Sequence, residues 1–146
     1  MEKSKQNLKV MSILILALTA LSCVKMIVNL CTGGLKVDKV PEGMTEGLMM
    51  VSLIISAAVS FALLLPQVYV GIKGLKFAET PDSSKAHIVW AIVLAILAGV
   101  GTISAISGIT QSDKLVTSLI NAIDSGLDVV VFIVYAVEAK RLSRMA

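Results

Sequence analysis

The sequence has few charged and few aromatic residues. Asp, Glu, Lys and Arg make up 16% of the 146 residues, and Phe, Trp and Tyr make up 4%. A soluble domain is typically about 25% charged. The hydrophobic share is 56% and the mean hydropathy is +0.89. These values exclude an ordinary soluble domain and predict an integral membrane protein.

The chain is also poor in residues that bind metals or carry out catalysis, with two cysteines and one histidine. Cys23 and Cys31 lie in one apolar segment and would be about 12 Å apart on a helix, beyond the reach of a disulfide. No CxxC motif, nucleotide-binding loop or hydrolase triad is present. We therefore expect no metal site, no cofactor and no enzyme activity.

The net charge of +3 and the pI near 9.0 do not predict nucleic-acid binding. The basic residues lie in short flanks between apolar runs, where membrane topology accounts for them. The partner that the sequence predicts is the lipid bilayer, and no nucleic acid is expected.

Four apolar runs predict the fold, because a bilayer-spanning helix needs about 20 apolar residues. We expect an all-α membrane protein, an antiparallel bundle of four transmembrane helices forming one domain. The first run follows a short basic segment, as in a secretory signal, but it continues well past Cys23, so we expect an uncleaved span. The predicted helices cover about residues 9–33, 47–73, 85–110 and 113–140.

The basic residues outside these runs predict the orientation. Nine lie on the side of the two termini and three lie on the other side, which favours a multi-pass protein of the cell membrane with both termini in the cytoplasm. The nine are Lys3, Lys5, Lys9, Lys73, Lys76, Lys85, Lys140, Arg141 and Arg144, and the three are Lys36, Lys39 and Lys114.

Two carboxylates interrupt the fourth run near its middle. Asp124 and Asp128 are four residues apart and share one helix face. Each ionised Asp at that depth costs roughly 2.5 to 3.5 kcal/mol, so both cannot stay charged cheaply unless a cation lies between them or one is protonated. We expect this face to point inward as the functional centre. It is extended by Ser118, Asn121, Ser125 and Tyr135.

The first run carries a polar stripe of its own, and Lys25 is its charged member. Lys25 lies beyond the middle of the helix, and its side chain leans toward the bilayer centre. Two interpretations are open: the ammonium extends to the far interface, or it pairs with an acid of the fourth helix. Candidate site residues on the same stripe are Ser22 and Asn29, and the stripe also includes Ser12 and Thr19.

Two further patterns concern packing. Ser52, Ser56 and Ser60 repeat every four residues, which favours a face where another helix packs closely over one that contacts a ligand. His87 and Trp90 stand at the start of the third run, where we expect both to anchor the helix at the membrane interface, although a single His is also a possible proton relay.

These residues support three functions. The first is a small cation- or proton-coupled transporter or channel that uses an ion site on the fourth and first helices, formed by Asp124, Asp128, Asn121, Ser125, Ser22 and Asn29. The second is a non-catalytic accessory or scaffold subunit, in which the aspartates pair with Lys25 or with a basic residue on another membrane subunit. The third is a purely structural role, with the aspartates hydrated at the axis of a homo-oligomer. A homo-oligomer or a larger membrane complex is therefore an expected assembly.

Overall fold

The computed structural model describes residues 2–32, 43–81, 85–109 and 115–145, and these ranges contain four helices and no strand. Each helix includes a stretch that is long and apolar enough to cross a membrane. The expectation of an all-helical chain with four such helices is confirmed. The helices are α1, Glu2–Cys31, α2, Glu46–Glu79, α3, Ala86–Ile109, and α4, Leu115–Met145.

Three helices extend beyond the apolar runs that predicted them. α1 begins at Glu2 rather than near residue 9, α2 continues to Glu79 rather than to 73, and α4 continues to Met145 rather than to 140. Lys, Arg, Glu and Gln in these flanks are good helix formers, so the helix continues past the apolar boundary. At the start of α2, the Thr45 side chain accepts a hydrogen bond from the Leu48 backbone N–H at 3.3 Å. The predicted limits at 33, 110 and 113 lie outside the described residues.

The helices contact one another in the order α1, α2, α3, α4 and back to α1, with a smaller contact between α2 and α4. Their buried side chains come from the beginning of α1 and α3 and from the end of α2 and α4. We call this region the packed half. Its apolar core consists of Leu8, Ile15, Val70, Phe77, Ala78, Ile88, Ala91, Leu94, Val131, Phe132, Tyr135, Ala136, Ala139 and Leu142.

Two glycines of α2 allow three helices to meet in the packed half. A Cβ at Gly71 would lie 2.6 Å from Leu16 of α1, and a Cβ at Gly74 would lie 2.6 Å from the Tyr135 hydroxyl of α4. That hydroxyl donates a buried hydrogen bond to the Val70 carbonyl oxygen at 3.0 Å. Small residues thus bring the α2 backbone close enough for a side chain of α4 to bond to it.

The remaining half of the molecule is loosely packed. Among the described residues, none beyond Thr19 in α1 or Leu94 in α3, and none before Val70 in α2 or Val131 in α4, is fully buried. We call this region the open half. Many of its apolar side chains are about half exposed, among them Val24, Ile54, Ile103 and Ile123. The candidate site residues of both helices lie in this half, whereas Tyr135 of the same α4 stripe lies in the packed half.

The serine stripe of α2 was expected to be a close helix contact, but Ser56 and Ser60 face α1 across a cavity and do not pack tightly against it. Ser52, Ser56 and Ser60 are all exposed. The Ser60 hydroxyl donates to the Ser56 carbonyl oxygen at 2.8 Å within its own helix. The close contact forms at Gly71 and Gly74 instead, because glycine leaves more room than serine and because both glycines lie in the packed half.

The interface role expected for His87 is also wrong. The side chain is only 2% exposed, and its ring lies 4.7 Å from the ring of Phe77 in α2 and 6.2 Å from that of Tyr135 in α4. Trp90 is 44% exposed. His87 is therefore part of the aromatic packing of the packed half, whereas Trp90 lies on the surface, and its role as an interface anchor stays a prediction.

Candidate functional site

An ion pair joins α1 to α4 in the open half. The Lys25 ammonium donates to Oδ2 of Asp124 at 2.8 Å, a short charge-assisted hydrogen bond. The side chains are 48% and 35% exposed, so the pair lies in the cleft between the helices rather than in a sealed core. Of the two interpretations of Lys25, the structure shows pairing with an acid of the fourth helix.

Asp128 lies one turn further along α4 and is half-buried. It is within electrostatic range of both Asp124 and Lys25. Among the described residues, it accepts no hydrogen bond and belongs to no ion pair. The Lys25 ammonium therefore lies near two carboxylates, and it bonds directly only to that of Asp124.

The remaining predicted residues of α4 do not converge on this pair. Ser125 is half-buried and faces α3, where its Oγ lies 3.8 Å from the position a Cβ would take at Gly101. Asn121 is exposed. Tyr135 lies in the packed half, away from the ion pair, and bonds to α2. The side chain of Ser118 lies outside the described part of the chain.

The other predicted site residues of α1, Ser22 and Asn29, do not join the ion pair either. Ser22 is half-buried. Asn29 lines a cavity of about 190 Å³ between α1 and α2, together with Ser56 and Ser60. The polar side chains of the open half thus form two clusters, one around Lys25 and Asp124 on the α4 side and one around Asn29 on the α2 side.

Sequence reasoning missed three polar contacts between helices in and next to the packed half. The Asn7 amide donates to Oε1 of Glu138 at 3.1 Å. The Thr19 hydroxyl donates to the Ile15 carbonyl oxygen at 2.7 Å and contacts the side-chain oxygen of Gln67 at 3.1 Å. Glu138 follows Tyr135 by three residues, so helical spacing could have placed it on the polar stripe of α4 and predicted a contact with another helix. The third contact is an ion pair between Lys9 and Glu79 at 3.1 Å.

The chemistry available at the site is therefore one ammonium and two carboxylates. Within the described ranges, no group of three His, Cys, Asp or Glu side chains is placed to hold a metal ion. No family model, curated protein or solved structure matches this chain. The chemistry of the site is therefore the guide to function.

Proposed function

We propose that the four helices cross the bilayer as an antiparallel bundle, with both termini in the cytoplasm. Three contacts support the antiparallel order: Asn7 near the start of α1 bonds to Glu138 near the end of α4, Lys9 pairs with Glu79 at the end of α2, and Lys25 pairs with Asp124 near the start of α4. The half-exposed apolar side chains around all four helices suit contact with lipid. The nine-to-three distribution of basic residues supports the orientation.

Cysteine labelling tests this topology. Cys23 and Cys31 are first replaced by Ser, and single cysteines are then introduced at Lys3, Lys39 and Lys76. We expect an impermeant maleimide added outside intact cells to label position 39 and to reach positions 3 and 76 only after the membrane is opened. Labelling of positions 39 and 76 from the same side would contradict the topology.

We further propose that the chain is a non-catalytic accessory or scaffold subunit of a membrane assembly. The ion pair between Lys25 and Asp124 is the observation that supports this most directly. An ion pair that joins two helices inside a bilayer specifies which helices pair, a role that charged groups between helices have in some proteins. Asp128 retains a carboxylate that bonds to no cation among the described residues, so it is available to a basic residue on a partner helix.

A synthetic transmembrane helix tests the role given to Asp128. Two labelled Leu-rich peptides are compared in vesicles that contain the protein, one with Lys and one with Met at its centre. We expect the Lys peptide to associate more strongly with the wild type than the Met peptide does, as measured by resonance energy transfer. Asp128→Asn should remove this difference and leave the helix content unchanged, because Asn keeps the shape of Asp without its charge. Equal association of both peptides with the wild type would contradict the partner-helix role.

Cation- or proton-coupled transport is the second candidate, and the position of Asp128 is what favours it. A half-buried carboxylate beside a second acid in a loosely packed half is suited to exchanging a proton or a sodium ion. The same variant distinguishes the two functions. Transport requires a pH- or sodium-dependent flux in wild-type proteoliposomes that is lost in Asp128→Asn, whereas a scaffold gives no flux in either.

A further inference from the structure

A groove runs lengthwise between α3 and α4 on their exposed surface. Its volume is about 380 Å³, and its lining is apolar apart from one residue. Ile92 and Ile96 line it from α3, and Ile133 and Val137 line it from α4, and all four side chains are about half exposed. The groove is thus open to the surroundings of the bundle along its length.

Positive charge is concentrated at one end of this groove. Lys140 is the single charged residue in the lining. A second cavity, of about 490 Å³, shares Val137 and Lys140 with the groove and continues to Arg141 and Arg144. All three basic side chains are exposed, and within the described ranges none of them forms an ion pair.

The order of the lining residues along α4 places the positive charges at one end of the apolar groove. Ile133, Val137, Lys140 and Arg144 are separated by four, three and four residues, so they lie on one helix face. At 1.5 Å per residue, the part of the groove from Ile133 to Lys140 is about 10 Å long, and the helix continues for roughly 6 Å from Lys140 to Arg144. In the membrane orientation proposed above, Lys140 and Arg144 lie at the cytoplasmic interface.

We propose that this groove binds an anionic phospholipid, with an acyl chain lying between α3 and α4 and the phosphate held by Lys140 and Arg144. A slot that is apolar along its length and cationic at one end matches a ligand that is apolar along its length and anionic at one end. Arg and Lys at a membrane interface bind phosphate oxygens through charge-assisted hydrogen bonds. The inference rests on the proposed membrane insertion and does not depend on the scaffold role.

The test measures lipid retained by the purified full-length protein. Native mass spectrometry compares phosphatidylglycerol with phosphatidylcholine of the same acyl chains. We expect phosphatidylglycerol to bind the wild type at least about tenfold more tightly, and the double variant Lys140→Gln/Arg144→Gln to lose this preference, since each basic residue near the surface contributes to anionic-lipid binding. The matched control is Lys73→Gln/Lys76→Gln, which removes the same charge at the end of α2, away from the groove, and should keep the preference.

Glycerol phosphate serves as a competitor that has the anionic group and no acyl chain. We expect it to leave the bound phosphatidylglycerol in place, whereas displacement would show an anion site without an acyl-chain groove. Equal retention of the two lipids by the wild type, or equal losses in the two double variants, would also overturn the lipid site. Carbonate extraction of membranes is run on every variant. A chain that is released by carbonate would overturn the membrane proposal itself, whereas an integral chain without lipid preference would overturn only this inference.

Discussion

Replacing Lys25 by Met is expected to lower the free energy of unfolding by about 3 kcal/mol. The change leaves the Asp124 carboxylate in the bundle without the ammonium that lies 2.8 Å from it. Within the chain the two side chains are 48% and 35% exposed, but in the proposed membrane orientation they lie inside the bilayer, where an ionised Asp without a partner costs roughly 2.5 to 3.5 kcal/mol. Reversible unfolding in mixed micelles of increasing sodium dodecyl sulfate fraction measures this loss.

The double variant Lys25→Met/Asp124→Leu should recover most of the lost stability. Apolar side chains of similar volume remove both charges together, and such replacements are often neutral or stabilising. Recovery to within about 1 kcal/mol of the wild type would show that the single-variant loss comes from the stranded charge. A double variant as unstable as the sum of the two single variants would instead mean that the residues act independently.

The ion pair between Lys9 and Glu79 provides a matched control on the same helix. Its members are 3.1 Å apart and 45% and 68% exposed, and they lie at the opposite end of α1. An exposed pair is typically worth about 0 to 1 kcal/mol, so Lys9→Met should change stability by less than about 1 kcal/mol. A loss at Lys9 equal to that at Lys25 would contradict the special position given to the open-half pair.

Replacing Gly74 by Ala is expected to destabilise the bundle by about 2 kcal/mol. The added Cβ would lie 2.6 Å from the Tyr135 hydroxyl and would also overlap Oγ of Ser12, so both side chains must shift. Overpacking of this kind costs about 1 to 3 kcal/mol. It opposes a gain of up to about 1 kcal/mol from the higher helix propensity of Ala.

Gly99→Ala is the control for this substitution. Gly99 also lies inside a helix, but a Cβ there would meet nothing within 4 Å. The propensity gain should then act alone and raise stability by a few tenths to about 1 kcal/mol. Unfolding in the same micelle titration should therefore move in opposite directions for the two variants. A stabilising Gly74→Ala would show that α2 does not approach Tyr135 as closely as described.

Much of the secondary structure follows from local features of the sequence. A run of about 20 apolar residues predicts a spanning helix wherever it occurs, so four such helices could be expected without knowing how they pack. Helical spacing alone placed Asp124, Asp128 and Tyr135 on one stripe, and the apolar side chains of Leu119, Ile123 and Val130 on the opposite stripe are exposed. Helix ends were less accurate at Glu2, Glu79 and Met145, because polar helix formers continue a helix without changing the hydropathy.

Contacts between stripes depended on packing across the whole bundle. The sequence placed one cation, Lys25, and two acids, Asp124 and Asp128, well inside predicted spans, but the two interpretations of Lys25 stayed open until the structure showed it bonded to Asp124. The predictions for the serine stripe and for His87 differed from the structure for a related reason. A small-residue repeat indicates that a helix can approach closely, and a position near a helix start indicates depth, but neither indicates which neighbour lies opposite.

The sequence by itself therefore determined the number of helices, their apolar and polar faces, and the presence of charge within the predicted spans, since all of these depend on residues within a few turns of each other. Only the tertiary structure decided that Gly71 and Gly74 form the close contact, that the packed half contains the core, and that Asp128 is left beside an ion pair already formed by Asp124. The physical reason is that helix rotation and pairing follow from van der Waals packing and hydrogen bonds summed over residues far apart in the chain.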